Sequence, residues 1–194
     1  MVRVSGGSLR GRGLLTPPDE RVRPTTGRMR EMIFSILGSR LIGARVLDLF
    51  AGSGVLGIES VSRGAASACF VELDRGVARL LHANLVSCGI EHASTLIEDS
   101  VVRPGVDERI QRDLKIRCNV FAPFDLLFMD PPYRQGLVPA TLEMLAASTL
   151  LAPGAVAVAE HEAGIVGKGV APAWRPMQNR RHGETQISFW QWSG

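Results

Sequence analysis

Asp48-Leu-Phe-Ala-Gly52-Ser-Gly54-Val-Leu-Gly57 is the stretch that decides how this chain folds. An apolar strand is predicted just before it, Arg45 to Phe50, and a helix just after it, from about Val55 to Arg63. The glycines therefore form a strand-to-helix turn. Ser67 to Leu73 predicts a second strand and completes a βαβ unit, with Glu72 at its end, 20 residues beyond Gly52. Further along, a helix is predicted from about Gly76 to Ser87 and a strand near Ser94 to Ile97. An irregular or helical stretch, Val101 to Lys115, then leads to a strand, Phe124 to Met129, a helix, Leu137 to Ala147, and a strand, Ala155 to Glu160. Alternation of this kind implies an α/β fold with a mostly parallel sheet covered on both faces, because parallel neighbours need crossover connections. Trp174 to Gln178 and Thr185 to Trp192 break the alternation and predict a closing antiparallel hairpin.

By spacing alone the turn fits two cofactors. Gly-x-Gly-x-x-Gly with an acid on the next strand is the dinucleotide-binding pattern, in which glycines admit a pyrophosphate and the acid holds a ribose hydroxyl. Asp48 argues against it. A carboxylate at the mouth of the turn is poorly matched to an anionic pyrophosphate and well matched to the ammonium group of the methionine moiety in S-adenosylmethionine. Glu72 would serve either cofactor, since both carry an adenosine ribose. Asp99, after the third strand, stands at the same sheet edge and is placed to accept a hydrogen bond from an adenine amino group.

Asp130-Pro131-Pro132-Tyr133 ends the strand Phe124 to Met129 and so lies at that same edge. Two prolines fix φ and remove backbone donors, leaving a stiff run whose carbonyls can only accept hydrogen bonds. Such an array suits a planar NH₂ group. If Asp130 and the Pro131 carbonyl accept its two N–H bonds, the nitrogen lone pair is aimed at an electrophilic methyl. Tyr133, the single tyrosine, is expected to stack on an extruded base. Hydride transfer has no use for this clamp, so the motif favours S-adenosylmethionine over a nicotinamide or flavin.

Charge is unevenly placed. The chain carries +3 overall, yet its first thirty residues hold seven arginines (Arg3, Arg10, Arg12, Arg21, Arg23, Arg28 and Arg30) against Asp19 and Glu20. A basic arm on a near-neutral body is the pattern for a surface that meets a polyanion. Residues 1–24 read as this arm; Met1 to Leu15 forms a short hairpin or an extended arm, with glycine turns between Val2-Arg-Val and Leu14-Leu15, too small for its own core. Residues 25–194 read as the main domain, beginning with a helix capped by Thr25 or Thr26 and running to about Leu37. Its apolar side is expected to carry Met29, Met32, Ile33, Ile36 and Leu37. No stretch is long and apolar enough to span a bilayer, and the first residues lack a secretory core, so a cytoplasmic protein is expected. Cys69, Cys88 and Cys118 are odd in number and lack Cys-x-x-Cys spacing, which argues against a disulfide framework and against a metal site.

Together these residues resemble the bacterial guanine-N2 methyltransferases of small-subunit (16S) ribosomal RNA. The likeness runs through Arg3-Val-Ser-Gly-Gly with Arg10-Gly-Arg12, Arg23-Pro-Thr-Thr-Gly-Arg28-Met-Arg-Glu31, the glycine turn, Asp130-Pro-Pro-Tyr133 and Arg180-Arg-His-Gly-Glu-Thr185. The turn and Asp-Pro-Pro-Tyr are shared with adenine-N6 enzymes, whereas the arginine-rich arm and the Arg-Pro-Thr segment are particular to the family. The resemblance implies a Rossmann-like class I methyltransferase with a seven-stranded sheet, acting on small ribosomal subunits or their assembly intermediates, and a monomer is expected. It implies that Asp48, Gly52 and Gly54 border the methionine portion of S-adenosylmethionine, Glu72 the ribose and Asp99 the adenine. Asp130, Pro131 and Tyr133 would meet the target base, and Arg3, Arg10, Arg12, Arg23 and Arg28 the RNA. His182 stands where the family commonly has tyrosine, and Val101 to Ala122 is unlike the family. His161 is a further candidate for contact with substrate.

Overall fold

The computed structural model describes residues 2–17, 27–118, 121–133, 135–163 and 172–194, without the side chains of 117 and 118. Residues such as Val46, Leu47 and Leu49 have no solvent contact on either side of their strand, which requires layers above and below the sheet. The elements supply them. The strands are β1 (Val2–Arg3), β2 (Gly13–Leu14), β3 (Arg45–Leu49), β4 (Ser67–Glu72), β5 (Ser94–Glu98), β6 (Phe124–Met129), β7 (Leu151–Glu162), β8 (Trp174–His182) and β9 (Thr185–Trp192). The helices are α1 (Gly27–Leu37), α2 (Val55–Ser62), α3 (Arg75–Cys88), α4 (Val106–Cys118) and α5 (Leu137–Ala147).

Seven strands form one sheet, as the resemblance implied, and their order is β5-β4-β3-β6-β7-β9-β8. The five from β5 to β7 are parallel, and β9 runs antiparallel to both β7 and β8. After β5 the chain crosses back to β6 on the far side of β3. The junction of β3 and β6 is thus the switch point, where sheets of this kind open a crevice at their carboxyl ends.

One face of the sheet packs Val46, Phe70, Leu126, Phe128, Val156 and Val158 against α1, α2 and α3. The other packs Leu47, Leu49, Val71, Leu127 and Met129 against α4 and α5. Asp74 caps α3 by accepting from the Gly76 and Val77 N–H groups at 2.7 and 2.9 Å, and Gly89 ends it with φ +68°.

Three local expectations are revised. The buried side of α1 is Met29, Arg30, Ile33, Phe34 and Leu37, with Met32 and Ile36 only partly covered. β7 starts at Leu151, four residues early, because Leu151 pairs with Phe124 across a register shift in β6. β8 continues to His182, since Gly183 (φ +61°) lets the chain reverse within two residues. Of the hairpin and the extended arm, the structure has the hairpin, β1 pairing with β2, and its Val4 and Leu14 are buried in the same core as α1 to α3. The helix cap at Thr25 or Thr26 and the junction at residue 24 lie outside the described residues.

Candidate active site

Parallel strands end together, so the acids that close them line one edge. Leu49 pairs with Val71 on one side and Met129 on the other, Met129 pairs with Ala159, and Glu72 pairs with Glu98. Asp130 and Glu160 are each one residue beyond the Met129–Ala159 pair that ends the β6–β7 register. Asp48, Glu72, Asp99, Asp130 and Glu160 are thereby brought to the carboxyl edge of β3 to β7.

At β3 the carboxylate is used to build the turn. Asp48 is buried and its Oδ2 accepts the Gly57 N–H at 2.9 Å, which fastens the first turn of α2 to the strand end. Burial pushes its pKa up to about 8; the Gly57 hydrogen bond opposes this and the charge of Glu72 adds to it. Glu72 is half-buried and reaches back to the same turn, accepting the Gly52 N–H at 2.8 Å on one oxygen and the Asp74 N–H at 2.9 Å on the other. Gly54 (φ +77°) has no room for a side chain, because a Cβ would lie 2.2 Å from Leu81 Cδ1. Gly52 (φ +55°) faces open space, where a Cβ would meet nothing within 4 Å. The turn therefore presents bare backbone outward at Gly52 and packs inward at Gly54.

Asp99 is also buried, and its company differs from a solitary acceptor. Its oxygens take the Ser100 N–H at 2.8 Å, Arg109 Nη1 at 2.6 Å and Arg103 Nη1 at 3.2 Å. Burial opposes ionisation, but the bonds from Ser100, Arg109 and Arg103 together hold the carboxyl below the usual range.

At β6 and β7 the bonds run between side chains. The Tyr133 hydroxyl donates to Glu160 Oε1 at 3.1 Å and meets Thr185 Oγ1 at 3.0 Å. Its one proton goes to the carboxylate, so Thr185 donates to it. Burial raises the phenol to about 12; the Thr185 bond opposes this, and the charges of Glu160 and Asp130 add to it. Tyr133 as a residue is 41% exposed although its hydroxyl is anchored. Pro131, Pro132, Tyr133, Glu160 and His161 line one crevice beside the start of α5. His161 is buried with both nitrogens engaged, Nδ1 to the Glu162 carbonyl and Nε2 to Ser188 Oγ, each at 2.8 Å. A carbonyl can only accept, so Nδ1 carries the proton and Nε2 accepts from Ser188. Burial lowers its pKa, against the pull of the Glu162 carbonyl and charge, so His161 is a neutral strut of this wall.

Residues 2–191 match the family described as Conserved hypothetical protein 95. The chain belongs to that family. Ribosomal RNA small subunit methyltransferase D of Escherichia coli strain K12 is 35% identical to it over 161 residues, which are 83% of this chain and 75% of that protein. The protein of the same name from Haemophilus influenzae is 34% identical over 163 residues, 83% of this chain and 79% of that one. Among solved structures, the Escherichia coli protein yhhF, provisionally named a methyltransferase, superposes with a TM-score of 0.80 at 31% identity, covering 100% of this chain and 98% of that one. An RNA methyltransferase from Salinibacter ruber, solved with S-adenosyl-L-homocysteine, shares the fold at TM-score 0.62 and 14% identity over 88% of this chain and 94% of that one. The expected class I methyltransferase fold and the kinship with small-subunit ribosomal RNA methyltransferases are borne out.

This member of the Conserved hypothetical protein 95 family does not leave its basic arm loose. Glu59, fully buried on α2, accepts the Ser5 N–H at 3.2 Å and the Ser5 hydroxyl. It also pairs with Arg63 at 2.7 Å and with Arg30 at 3.6 Å. Arg30 in turn donates to the Arg3 carbonyl at 2.8 Å. Arg30, counted in the sequence among the arginines that make the first thirty residues basic, is thus interior. Arg3, Arg10, Arg12 and Arg28 are exposed, and Arg23 lies outside the described residues. Asn84 joins the arm to the turn: its amide bonds the Leu15 N–H and carbonyl at 2.8 and 3.0 Å and the Ser53 carbonyl at 2.9 Å. Sequence reading missed Glu160, Thr185, Glu59 and Asn84 as site or support residues. Glu59 did leave a signal, as the one charge in an otherwise uncharged helix.

Proposed function

We propose that this protein transfers a methyl group from S-adenosylmethionine to the exocyclic N2 of a guanine in small-subunit (16S) ribosomal RNA. The observation that carries the proposal is that the Asp48–Gly57 turn and Asp130-Pro-Pro-Tyr133 end neighbouring strands, β3 and β6, at the switch point of one sheet. The names of the relatives support the substrate class. The residues suit the cofactor: the space before Gly52 is open, and Asp48 and Glu72, both fastened to the turn, are acids of the kind its ammonium and hydroxyl groups need.

When bound, S-adenosylmethionine supplies a methyl group made electrophilic by its sulfonium. Asp48 holds the methionine ammonium, Glu72 the ribose hydroxyls, and Gly52 and Gly54 keep the turn clear. Asp99, steadied by Arg109 and Arg103, accepts the adenine amino group. Asp130 and the Pro131 carbonyl accept the two N–H bonds of the target amine, which turns its lone pair toward the methyl. Tyr133, anchored by its hydroxyl, offers its ring to the base; stacking of this kind is worth about 1–3 kcal/mol. Once methylated, the nitrogen gives its surplus proton to Asp130 or to water. Arg3, Arg10, Arg12, Arg23 and Arg28 meet RNA phosphates in the small subunit or an assembly intermediate.

The test is incorporation of labelled methyl into small-subunit particles, with nuclease digestion and mass spectrometry of the modified nucleoside. N2-methylguanosine is expected. N6-methyladenosine, or preference for duplex DNA, would replace the reading with an adenine-N6 enzyme. Full function in the cell after Asp130→Ala would replace it with an RNA-binding assembly factor.

A further inference from the structure

Nothing in the Asp-Pro-Pro-Tyr clamp itself tells guanine from adenine, since each base offers one exocyclic NH₂. The bases differ in the neighbouring ring atom. In guanine N1 carries a hydrogen, so the edge N1–H, N2–H₂ shows three donors in one plane. In adenine N1 is a lone pair, and the edge alternates between donor and acceptor. A site that places a second fixed acceptor beside the amine clamp would therefore select guanine.

Such an acceptor is present. Asp130 and Glu160 each stand one residue beyond the paired Met129 and Ala159, on adjacent parallel strands, so the two carboxylates start about 4.8 Å apart in backbone terms. Glu160 is buried and lines the crevice with Pro131, Pro132 and Tyr133. The Tyr133 hydroxyl donates to its Oε1, and Thr185 steadies that hydroxyl from β9, where Glu162 pairs with Thr185. A carboxylate has about four acceptor sites, and the phenol is one of the partners of Glu160. The bond also ties the base-stacking ring and the acid into one unit, which fixes the acid relative to the plane of a base lying on Tyr133.

We propose that Glu160 is the residue that selects guanine, by accepting the N1–H while Asp130 and the Pro131 carbonyl hold the N2 amine; this rests on the guanine-N2 reading above. Adenine placed with its amine in the clamp would turn the N1 lone pair against the carboxylate. The repulsion and the lost hydrogen bond together reject it.

The experiment uses small-subunit particles reconstituted with RNA that carries either guanine or 2-aminopurine at the mapped position. 2-Aminopurine keeps the 2-NH₂ group but has a lone pair at N1. The wild-type protein is expected to prefer guanine by about 100-fold or more in kcat/KM. In Glu160→Gln the amide can turn its NH₂ toward that lone pair, and the preference is expected to fall at least about tenfold, with affinity for S-adenosylhomocysteine unchanged. Wild-type preference within about threefold would overturn the inference without any variant being needed. So would a Glu160→Gln protein that loses activity equally on both particles, since that marks a purely structural role. If the label on unmodified particles is found in adenine, the guanine-N2 reading has failed instead, and this comparison is not reached.

Discussion

At the ends of β3 and β4 the acids are fastened to backbone amides, Asp48 to Gly57 at 2.9 Å and Glu72 to Gly52 at 2.8 Å. At the ends of β6 and β7 the bonds run between side chains, Tyr133 to Glu160 at 3.1 Å and to Thr185 at 3.0 Å. The difference separates what each half can change. A turn held by its own amides has one shape, and altering any part of it alters the fold locally. A wall assembled from side chains can be altered in chemistry while the strands beneath stay paired. On the proposed function, the first half serves an invariant cofactor and the second reads a substrate.

The largest effect expected is at Asp130. Asp130→Ala should lower kcat/KM by about 10³ or more, as loss of a positioned polar group at a reacting centre does, while cofactor affinity by calorimetry stays within about twofold. A parallel loss of cofactor binding would break the division between the halves. Gly54→Ala should do the reverse. It sets a Cβ 2.2 Å from Leu81 Cδ1 at φ +77°, and a cost of about 1–3 kcal/mol should appear in denaturant melts together with weakened cofactor binding. An unshifted melt would mean that the turn is more pliable than its packing indicates.

Asp48 sharpens the comparison through pH. The folded protein keeps its proton up to about pH 8, whereas an unfolded chain releases it near 3.8. This raised pKa contributes stability in full below about 4, and the contribution is lost as pH rises through about 8. Asp48→Asn removes that dependence, so the free variant should melt higher than the wild type by a margin that widens from pH 6 to pH 8. The same change should weaken cofactor binding. In the wild type an incoming ammonium draws the proton off, so between pH 6 and 7.5 binding should release up to one proton and tighten with pH, by no more than about tenfold per unit. A flat wild-type profile, equal to that of Asp48→Asn, would remove Asp48 from the ammonium site.

The smallest effect is expected outside the edge altogether. Replacing exposed Arg10 and Arg12 with alanine should leave melting and cofactor affinity alone and flatten the salt dependence of RNA binding by about one unit of slope per lost phosphate contact. An unchanged slope would take this part of the arm out of the interface.

The strand-to-helix turn, the five parallel strands and the Asp-Pro-Pro-Tyr edge were legible because they are local patterns: alternation, glycine spacing, and prolines after an apolar run. What was hidden depends on which distant residues the topology brings together. Glu160 and Thr185 are 25 positions apart and meet at Tyr133 only because β9 folds back along β7. Arg30 reads as one more basic residue of the arm until Glu59, buried on another helix, claims it. Arg103 and Arg109 come from a stretch in which the sequence offered no motif, so nothing announced their hold on Asp99. For Glu160 and for Glu59 a buried charge stands beside a partner that sequence spacing does not connect.

The most direct measurement is a crystal structure of the protein with sinefungin, an S-adenosylmethionine analogue in which an amine-bearing carbon replaces the sulfonium and its methyl group. The account requires the analogue to lie along the Asp48–Gly57 turn with that amine directed at Asp130 and the Pro131 carbonyl. An analogue bound elsewhere, with residues 130–133 turned away from it, would contradict the account at its root.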